Sequence, residues 1–248
     1  MTDALRLDAV SRRFGALTAL QPISLALPAG ERHAILGANG AGKTTLFNLI
    51  AGDLRPSGGR IAMFGTDMTR LATWRRIRLG LRRTYQTSLV FGGLTVRQCL
   101  FLAARGIRGR RFAVFSSAAA GVEMTEAKQL AERVGLDTRL DVLAGELSHG
   151  EARQLELGMA MVGEPRLLLL DEPAAGLSTG ERRNLLTLLQ ALPHAITLLL
   201  IEHDMDIALQ AADRITVMHN GAYVVSGTPN EIAANPTVHD IYMGRHGR

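Results

Sequence analysis

One stretch of the chain has the residue types and spacing of a phosphate-binding loop. It places a glycine, four residues, then glycine, lysine and threonine, in the order Gly37-Ala38-Asn39-Gly40-Ala41-Gly42-Lys43-Thr44-Thr45. Glycines let successive backbone N–H groups turn toward a polyphosphate, and the N-terminus of a following helix adds partial positive charge. Lys43 would then reach the β- and γ-phosphates, and the Thr44 hydroxyl would hold Mg²⁺. The alternative is a glycine-rich turn with an ordinary surface lysine.

The residues on either side of this phosphate loop (residues 37–45) predict a strand before it and a helix after it. Residues 31–36 are a short segment that ends in apolar residues, as a strand entering a core does. Residues 46–51 have apolar side chains at helical spacing, and Gly52 is predicted to end the helix. Strand, loop and helix are the context that the motif requires, so phosphate binding is favoured over a plain turn.

Two carboxylates follow a continuous apolar run later in the chain. Residues 167–170 are all leucine and precede Asp171 and Glu172. Such a run predicts a strand covered on both faces, and the carboxyl end of that strand lies where α/β sheets bind ligands. Asp171 is therefore predicted to complete the Mg²⁺ shell beside Thr44, and Glu172 to orient or deprotonate the attacking water. The alternative is an acidic turn at a strand end.

Two serine–glutamate pairs predict the starts of helices. Ser148 with Glu151, and Ser178 with Glu181, each form a capping box of the pattern Ser-x-x-Glu. We expect the first of these helix ends, kept open by Gly150, to be a second anion site. No phosphate within the same chain is evident for it, so the site makes sense if it faces a nucleotide held by another subunit.

Two further residues are candidates on weaker grounds. His203 follows an apolar run and could contact a γ-phosphate, although a lone histidine is more often a plain polar loop residue. Phe14 stands at a turn and could stack on an adenine, although a buried place in a β-sheet is the commoner role of such a residue.

Composition narrows the class of protein. The chain has 248 residues, 47% of them hydrophobic, which suits one domain, or one core with a large insertion. The single cysteine, Cys99, allows no intramolecular disulfide and favours a reducing compartment. We expect no signal peptide and no spanning helix, because no apolar run reaches about 20 residues. Residues 67–80 are predicted to form a basic helix. Arginines are dense over residues 75–83 without aromatic residues among them, which favours a solvated or docking face over nucleic acid.

Five features, in this order and spacing, resemble the ATP-binding cassette (ABC) transporter ATPases over essentially the whole chain. They are the phosphate loop, Gln86 after Arg-Thr-Tyr, the segment Leu147-Ser148-His149-Gly150-Glu151, the Asp171-Glu172 pair and His203. The resemblance implies an α/β fold with a RecA-like P-loop ATPase core, an N-terminal antiparallel β-subdomain and an inserted α-helical subdomain. It implies one domain over 1–248, with a core of 1–87 and 165–248 and a helical subdomain at about 88–164.

The resemblance also implies roles for residues in the nucleotide site. Gln86 would bind Mg²⁺ and water and couple them to a membrane partner. Glu172 would be the catalytic carboxylate, and His203 would sense the γ-phosphate. Phe14 becomes the adenine-stacking aromatic.

Residues 147–151, called the signature segment below, would meet the nucleotide of an opposite protomer through Ser148, Gly150 and Glu151. His149 and Glu151 depart from the commonest form of this segment, which has glycine and glutamine there. The helix-capping chemistry survives both changes, so we expect ATPase activity to survive.

A finer resemblance concerns the type of transport system. The segments 172–177, 201–205 and 227–244 look like the uptake ATPases for branched-chain amino acids, and urea and related amide importers share these features. This implies an ATP-hydrolysing importer subunit that uses ATP and Mg²⁺ and lies peripherally on the cytoplasmic face of the inner membrane. Its implied partners are two transmembrane permease subunits, a second ABC ATPase in a homo- or heterodimer and, indirectly, a solute-binding protein, with no nucleic acid. The alternatives are the ATPase of a lipopolysaccharide-type exporter and a soluble, non-transport ABC protein.

Overall fold

The computed structural model describes residues 3–84, 90–107 and 117–243. The chain divides into two compact units. The first holds the chain up to Leu81, Arg166–Pro173 and the chain from Pro193 onward, and the second holds Arg82–Pro165 and Ala174–Leu192. The subdomain boundaries expected from the sequence, at about 88–164, stay a prediction. Over the described ranges, no helix combines the length and the apolar character needed to cross a membrane.

Strands and helices alternate along much of the chain. The strands in the described residues are β1 (Asp3–Phe14), β2 (Leu17–Pro28), β3 (Arg32–Leu36), β4 (Gly58–Met63), β5 (Thr66–Asp67), β6 (Leu81–Arg83), β7 (Leu167–Asp171), β8 (Thr197–Glu202), β9 (Arg214–His219) and β10 (Ala222–Gly227). The helices are α1 (Lys43–Ala51), α2 (Thr73–Arg78), α3 (Val96–Ile107), α4 (Ser117–Arg133), α5 (His149–Ala160), α6 (Thr179–Gln190), α7 (Met205–Ala211), α8 (Pro229–Ala233) and α9 (Pro236–Met243).

Two sheets organise the strands. One is antiparallel, in the order β2-β1-β4-β5, and the other has the order β10-β9-β3-β8-β7-β6. In the second sheet β7, β8, β3 and β9 run parallel, and β10 returns antiparallel to β9. This arrangement confirms the predicted α/β fold class.

The register of the parallel strands aligns their carboxyl ends. Leu36 of β3 pairs with Glu202 of β8, and Asp171 of β7 pairs with Ile201 of β8. Every residue of β7 and β8 is buried, as expected of parallel strands covered on both faces. The residues that follow these three strands therefore meet at one edge of the sheet.

A single cluster of buried side chains joins α1 to both sheets. Phe47 and Leu49 of α1 are fully buried, together with Leu5 of β1, Ile61 of β4 and Leu169 of β7. Because protein interiors are close-packed, this cluster fixes the position of α1 and hence of the loop that precedes it.

The C-terminal end of α1 is capped by a buried arginine. Gly52 ends the helix with a φ of 91°, which confirms the predicted stop. Arg76 of α2 is only 1% exposed, and its Nη1 donates to the carbonyls of Leu49 and Ile50, both at 2.7 Å. These are among the carbonyls that a helix end leaves without a partner inside the helix. A side chain from α2 thus supplies hydrogen bonds to two carbonyls at the end of α1.

Helices α3, α4, α5 and α6 form the second unit, in which α3 packs against both α4 and α5, and α5 against α6. Leu100 and Val134 lie close to Gly158, where a Cβ would meet them at 3.2 and 3.3 Å. Glycine there lets the helices approach closely.

Helix α2 is shorter than the helix predicted at 67–80. The Thr69 N–H donates to the Asp67 side chain at 2.8 Å, and the Thr69 hydroxyl accepts from the Ile61 N–H at 2.9 Å. Such local side-chain bonds compete with helix formation, so the helix begins only at Thr73. Trp74, at its start, lies against the guanidinium groups of Arg75 and Arg78, at 5.0 and 4.8 Å from the ring centre.

Replacing Arg76 by methionine should destabilise the protein. The substitution removes the donor to two buried carbonyls, so we expect the free energy of unfolding to fall by about 2–4 kcal/mol. Urea unfolding of the full chain measures this change. Arg75→Met is the matched control: Arg75 is exposed on the same helix, and its loss should cost less than about 1 kcal/mol. Equal losses in the two variants would contradict the capping role.

Candidate active site

The phosphate loop connects β3 to α1 in the first unit. Gly40 and Gly42 have φ angles of 80° and 91°, in the left-handed region that favours glycine. A Cβ on Gly42 would lie 3.0 Å from the carbonyl oxygen of Ala19. No side chain of the described residues caps the start of α1, and its first turn contains no acidic residue. This helix end therefore presents backbone N–H groups and partial positive charge, as an anion site requires.

Lys43, the first residue of α1, is buried. Its ammonium group donates to the carbonyls of Gly37 and Ala38 in the same loop. Burial lowers the pKa of Lys43, while Glu172, Asp171 and Glu202 act in the opposite direction. The ammonium is thus placed inside the loop and within the electrostatic reach of three carboxylates.

Asp171 and Glu172 stand where the sequence predicts, at the carboxyl end of β7. Asp171 is 4% exposed. Glu172 has a φ of 47°, and its N–H donates to the carbonyl of Ile201 at 3.1 Å. A left-handed φ is unfavourable for a residue with a side chain, so its neighbours must hold this conformation.

His203 and Glu172 are brought together at this edge. Nδ1 of His203, just after β8, lies 3.2 Å from Oε2 of Glu172. The Glu172 side chain is 12% exposed and the His203 side chain 47% exposed. The structure therefore brings into contact two residues that the sequence proposed separately.

Glu202 is a site residue that the sequence reasoning missed. It is fully buried at the end of β8, beside Leu36 in the register of the sheet, and it opposes the lowering of the Lys43 pKa. The available signal was the one used for Asp171, a carboxylate directly after a run of apolar residues.

Phe14 lies in the first unit, at the end of β1. It pairs with Leu17 of β2, and the two residues are 43% and 67% exposed. The alternative of a buried β-sheet aromatic is therefore wrong. Gln86 lies outside the described residues.

The signature segment begins α5 in the second unit. The Ser148 Oγ accepts from the Glu151 N–H at 3.2 Å, and the Ser148 N–H donates to the Glu151 carboxylate at 2.9 Å, which confirms the predicted capping box. Arg139 Nε donates to the same carboxylate at 2.9 Å. Glu151 therefore caps the helix and forms an ion pair with Arg139.

The start of α5 also holds a second carboxylate. The Gly150 N–H donates to Oε1 of Glu181 at 2.9 Å, and the other Glu181 oxygen accepts from the N–H and hydroxyl of Ser178. A Cβ on Gly150 would lie 2.6 Å from Oε1. The sequence predicted an open helix end at Gly150, whereas Glu181, 31 residues later, lies against it. A cleft of about 290 Å³ adjoins these residues.

Comparison with known proteins places the chain among transporter cassettes. The family model described as "ABC transporter" matches residues 20–175. The chain is 36% identical over 248 residues to the high-affinity branched-chain amino acid transport ATP-binding protein BraF of Pseudomonas aeruginosa, with 97% of both chains covered. It is 35% identical over 250 residues to the corresponding protein LivG of Escherichia coli, again with 97% of both covered. Among solved structures, the ADP conformation of MJ1267, an ATP-binding cassette of an ABC transporter, matches with a TM-score of 0.85 and 29% identity, covering 98% of this chain and all of that one.

Glu181 should give the second unit a stability that depends on pH. The Ser178 hydroxyl, with the N–H groups of Ser178 and Gly150, lowers the pKa of Glu181. A lowered native pKa means that the ionised form stabilises the fold above the ordinary glutamate pKa of about 4.3, and that this contribution is lost as the pH falls through the native pKa.

We therefore expect Glu181→Gln to lower the urea midpoint of the full chain at pH 7. The difference from the unmodified protein should shrink as the pH falls below about 4.3. Glu146→Gln, at an exposed glutamate of the same unit, is the control and should show no such trend. A Glu181→Gln difference that did not change with pH would contradict the electrostatic role.

Proposed function

Since this chain belongs to the ABC transporter family, as an ATP-binding and ATP-hydrolysing cassette, we propose that it drives an importer for branched-chain amino acids or a related small polar solute. The observation that carries this proposal is similarity along the full length. BraF and LivG match over 97% of their own chains as well as of this one. A similarity of that extent includes the regions outside the shared phosphate loop.

The residues of the first unit fit ATP with Mg²⁺. The phosphate loop supplies N–H groups and the Lys43 ammonium for the β- and γ-phosphates. Thr44, exposed in the first turn of α1, and Asp171, at the end of β7, supply the hard oxygen ligands that Mg²⁺ prefers. The phosphates of the nucleotide and water would supply the remaining ligands, because Mg²⁺ usually combines one or two protein oxygens with substrate phosphates and water. Bound Mg²⁺ would neutralise charge on the transferred phosphoryl group.

The protein's own contribution to hydrolysis would come from three side chains. Lys43 holds the phosphates. Glu172 orients the attacking water and accepts its proton, and His203 fixes the Glu172 carboxylate and contacts the γ-phosphate. Phe14 would stack on the adenine, and Gln86 would link the Mg²⁺ and the water to the membrane partner.

A second ATPase would complete each site. We place Ser148 and Gly150 of the signature segment against the γ-phosphate bound by the opposite protomer. The carboxylate of Glu151, which the Ser148 N–H and Arg139 hold, contributes by capping this helix end. Phosphate at this helix end competes with Glu181 for the Gly150 N–H. In the cell, two ATPase subunits would lie on the cytoplasmic face of the inner membrane, attached to two permease subunits and served by a solute-binding protein.

Replacing Glu172 by glutamine should separate hydrolysis from binding. We expect phosphate release to fall by about 10²- to 10⁴-fold, because the amide cannot accept the proton, while ATP affinity is retained. Equilibrium ATP binding and steady-state phosphate release, measured on the assembled transporter, report the two effects. Lys43→Ala is the contrasting variant and should lose ATP binding. If Glu172→Gln hydrolysed ATP at a rate near that of the unmodified protein, Glu172 would not be the catalytic carboxylate.

Uptake in cells tests the transport proposal. A strain without this gene should lose energy-dependent uptake of labelled leucine, isoleucine and valine, and the Glu172→Gln gene should fail to restore it. The tagged chain, purified from detergent-solubilised membranes, should carry two polytopic permeases and a second cassette ATPase. If the strain without this gene lost the uptake of other solutes only, the proposed substrate would be wrong. Lipopolysaccharide retained in the inner membrane of the strain without this gene would indicate the exporter. Recovery of the tagged chain with nucleic acid or ribosomal proteins would indicate the non-transport alternative.

A further inference from the structure

One face of the Phe14 ring is covered by an arginine of the same strand. The guanidinium carbon of Arg12 lies 4.4 Å from the ring centre. Residues two apart in a strand project to the same side, which makes this contact possible within β1. Phe14 nevertheless remains 43% exposed, so the arginine leaves much of the side chain accessible.

The guanidinium of Arg12 is itself held in place. Its Nη1 donates to the carbonyl of Arg55 at 2.8 Å, in the loop that follows α1. The same loop is joined to β1 by Ser57, whose N–H donates to the Ser11 carbonyl at 2.8 Å and whose Oγ accepts from the Arg13 N–H at 3.0 Å. The Nε of Arg12 is buried and has no hydrogen-bond partner in the part of the chain that the structure describes. Stacking on Phe14 and one backbone bond therefore define its position.

A cation on one face of an aromatic ring changes what the other face can bind. The planar guanidinium stacks on the ring and is attracted by the negative face of its quadrupole. Electron density drawn toward the cation leaves the opposite face better suited to stack with an electron-rich purine. The arginine also holds an otherwise exposed ring in one orientation, which reduces the entropy lost when a base binds.

We propose that Arg12 is a positioning residue of the adenine site, which fixes the Phe14 ring so that the base of ATP stacks on the ring face opposite the guanidinium. The inference rests on the proposed role of Phe14 and adds a residue that acts through it. The sequence offers a natural comparison, because Arg13 carries the same charge one position later and is exposed.

The test measures equilibrium binding of ATP and of inorganic tripolyphosphate to the full chain. Arg12→Met keeps an unbranched side chain and removes the cation, and Arg13→Met removes the same charge without touching the stack. We expect Arg12→Met to weaken ATP binding about three- to tenfold relative to Arg13→Met. Tripolyphosphate has no base, so its affinity should be the same in the two variants. A general loss of folding or of positive charge would instead weaken both ligands.

A double-mutant cycle with Phe14→Ala separates this inference from the proposed site. In the Phe14→Ala protein, Arg12→Met should weaken ATP binding no further, because Arg12 acts only by positioning the Phe14 ring. If Phe14→Ala weakens ATP binding but Arg12→Met does not, or if their effects add, the inference about Arg12 is wrong and the role of Phe14 stands. If Phe14→Ala leaves ATP affinity unchanged, the proposed adenine site is wrong and the role of Arg12 fails with it.

Discussion

The burial of the Lys43 ammonium group is the constraint on which the first unit depends. A buried cation is costly unless polar groups surround it, and here two loop carbonyls accept its hydrogen bonds while carboxylates at the ends of β7 and β8 supply opposite charge. Those carboxylates reach the loop only because β3, β8 and β7 are parallel neighbours in register. The order of the strands is therefore part of the phosphate site, since no one segment of the chain contains both the cation and its counter-charges.

Helix α1 connects the phosphate loop to residues that lie outside it. Its N-terminus forms the phosphate loop, and its C-terminus is completed by Arg76. A cation at a helix C-terminus interacts favourably with the helix dipole, whose positive end faces the loop. The buried cluster around Phe47 holds the helix between the two sheets. Anion binding at one end thus depends on packing along the helix and on a side chain from α2 at the other.

Features encoded by neighbouring residues could be predicted from the sequence. The phosphate loop, the stop at Gly52 and the capping box at Ser148 each follow from side chains within a few positions of one another. Contacts between distant residues could not. The bond between Gly150 and Glu181 needs the packing of α5 on α6. The short α2 is a local exception, because the bond from the Thr69 N–H to the Asp67 side chain leaves no mark in the hydrophobic periodicity. Glu202 follows an apolar run as Asp171 does, but its place beside the strand that leads into the phosphate loop depends on the pairing of β8 with β3, which neighbouring residues do not encode.

The two glutamates at the start of α5 differ in how firmly they are held, and this difference bears on how the signature segment can act. Glu151 belongs to the same helix and is fixed by the Ser148 N–H and by Arg139, so it stays with α5 wherever the helix goes. Glu181 comes from α6, and the carboxylate that accepts the Gly150 N–H also accepts two bonds from Ser178. An anion that took the Gly150 N–H would remove one of three bonds and leave the capping of α6 intact. Binding at this helix end can therefore change the contact between α5 and α6 without unfolding either helix, because each keeps its own cap.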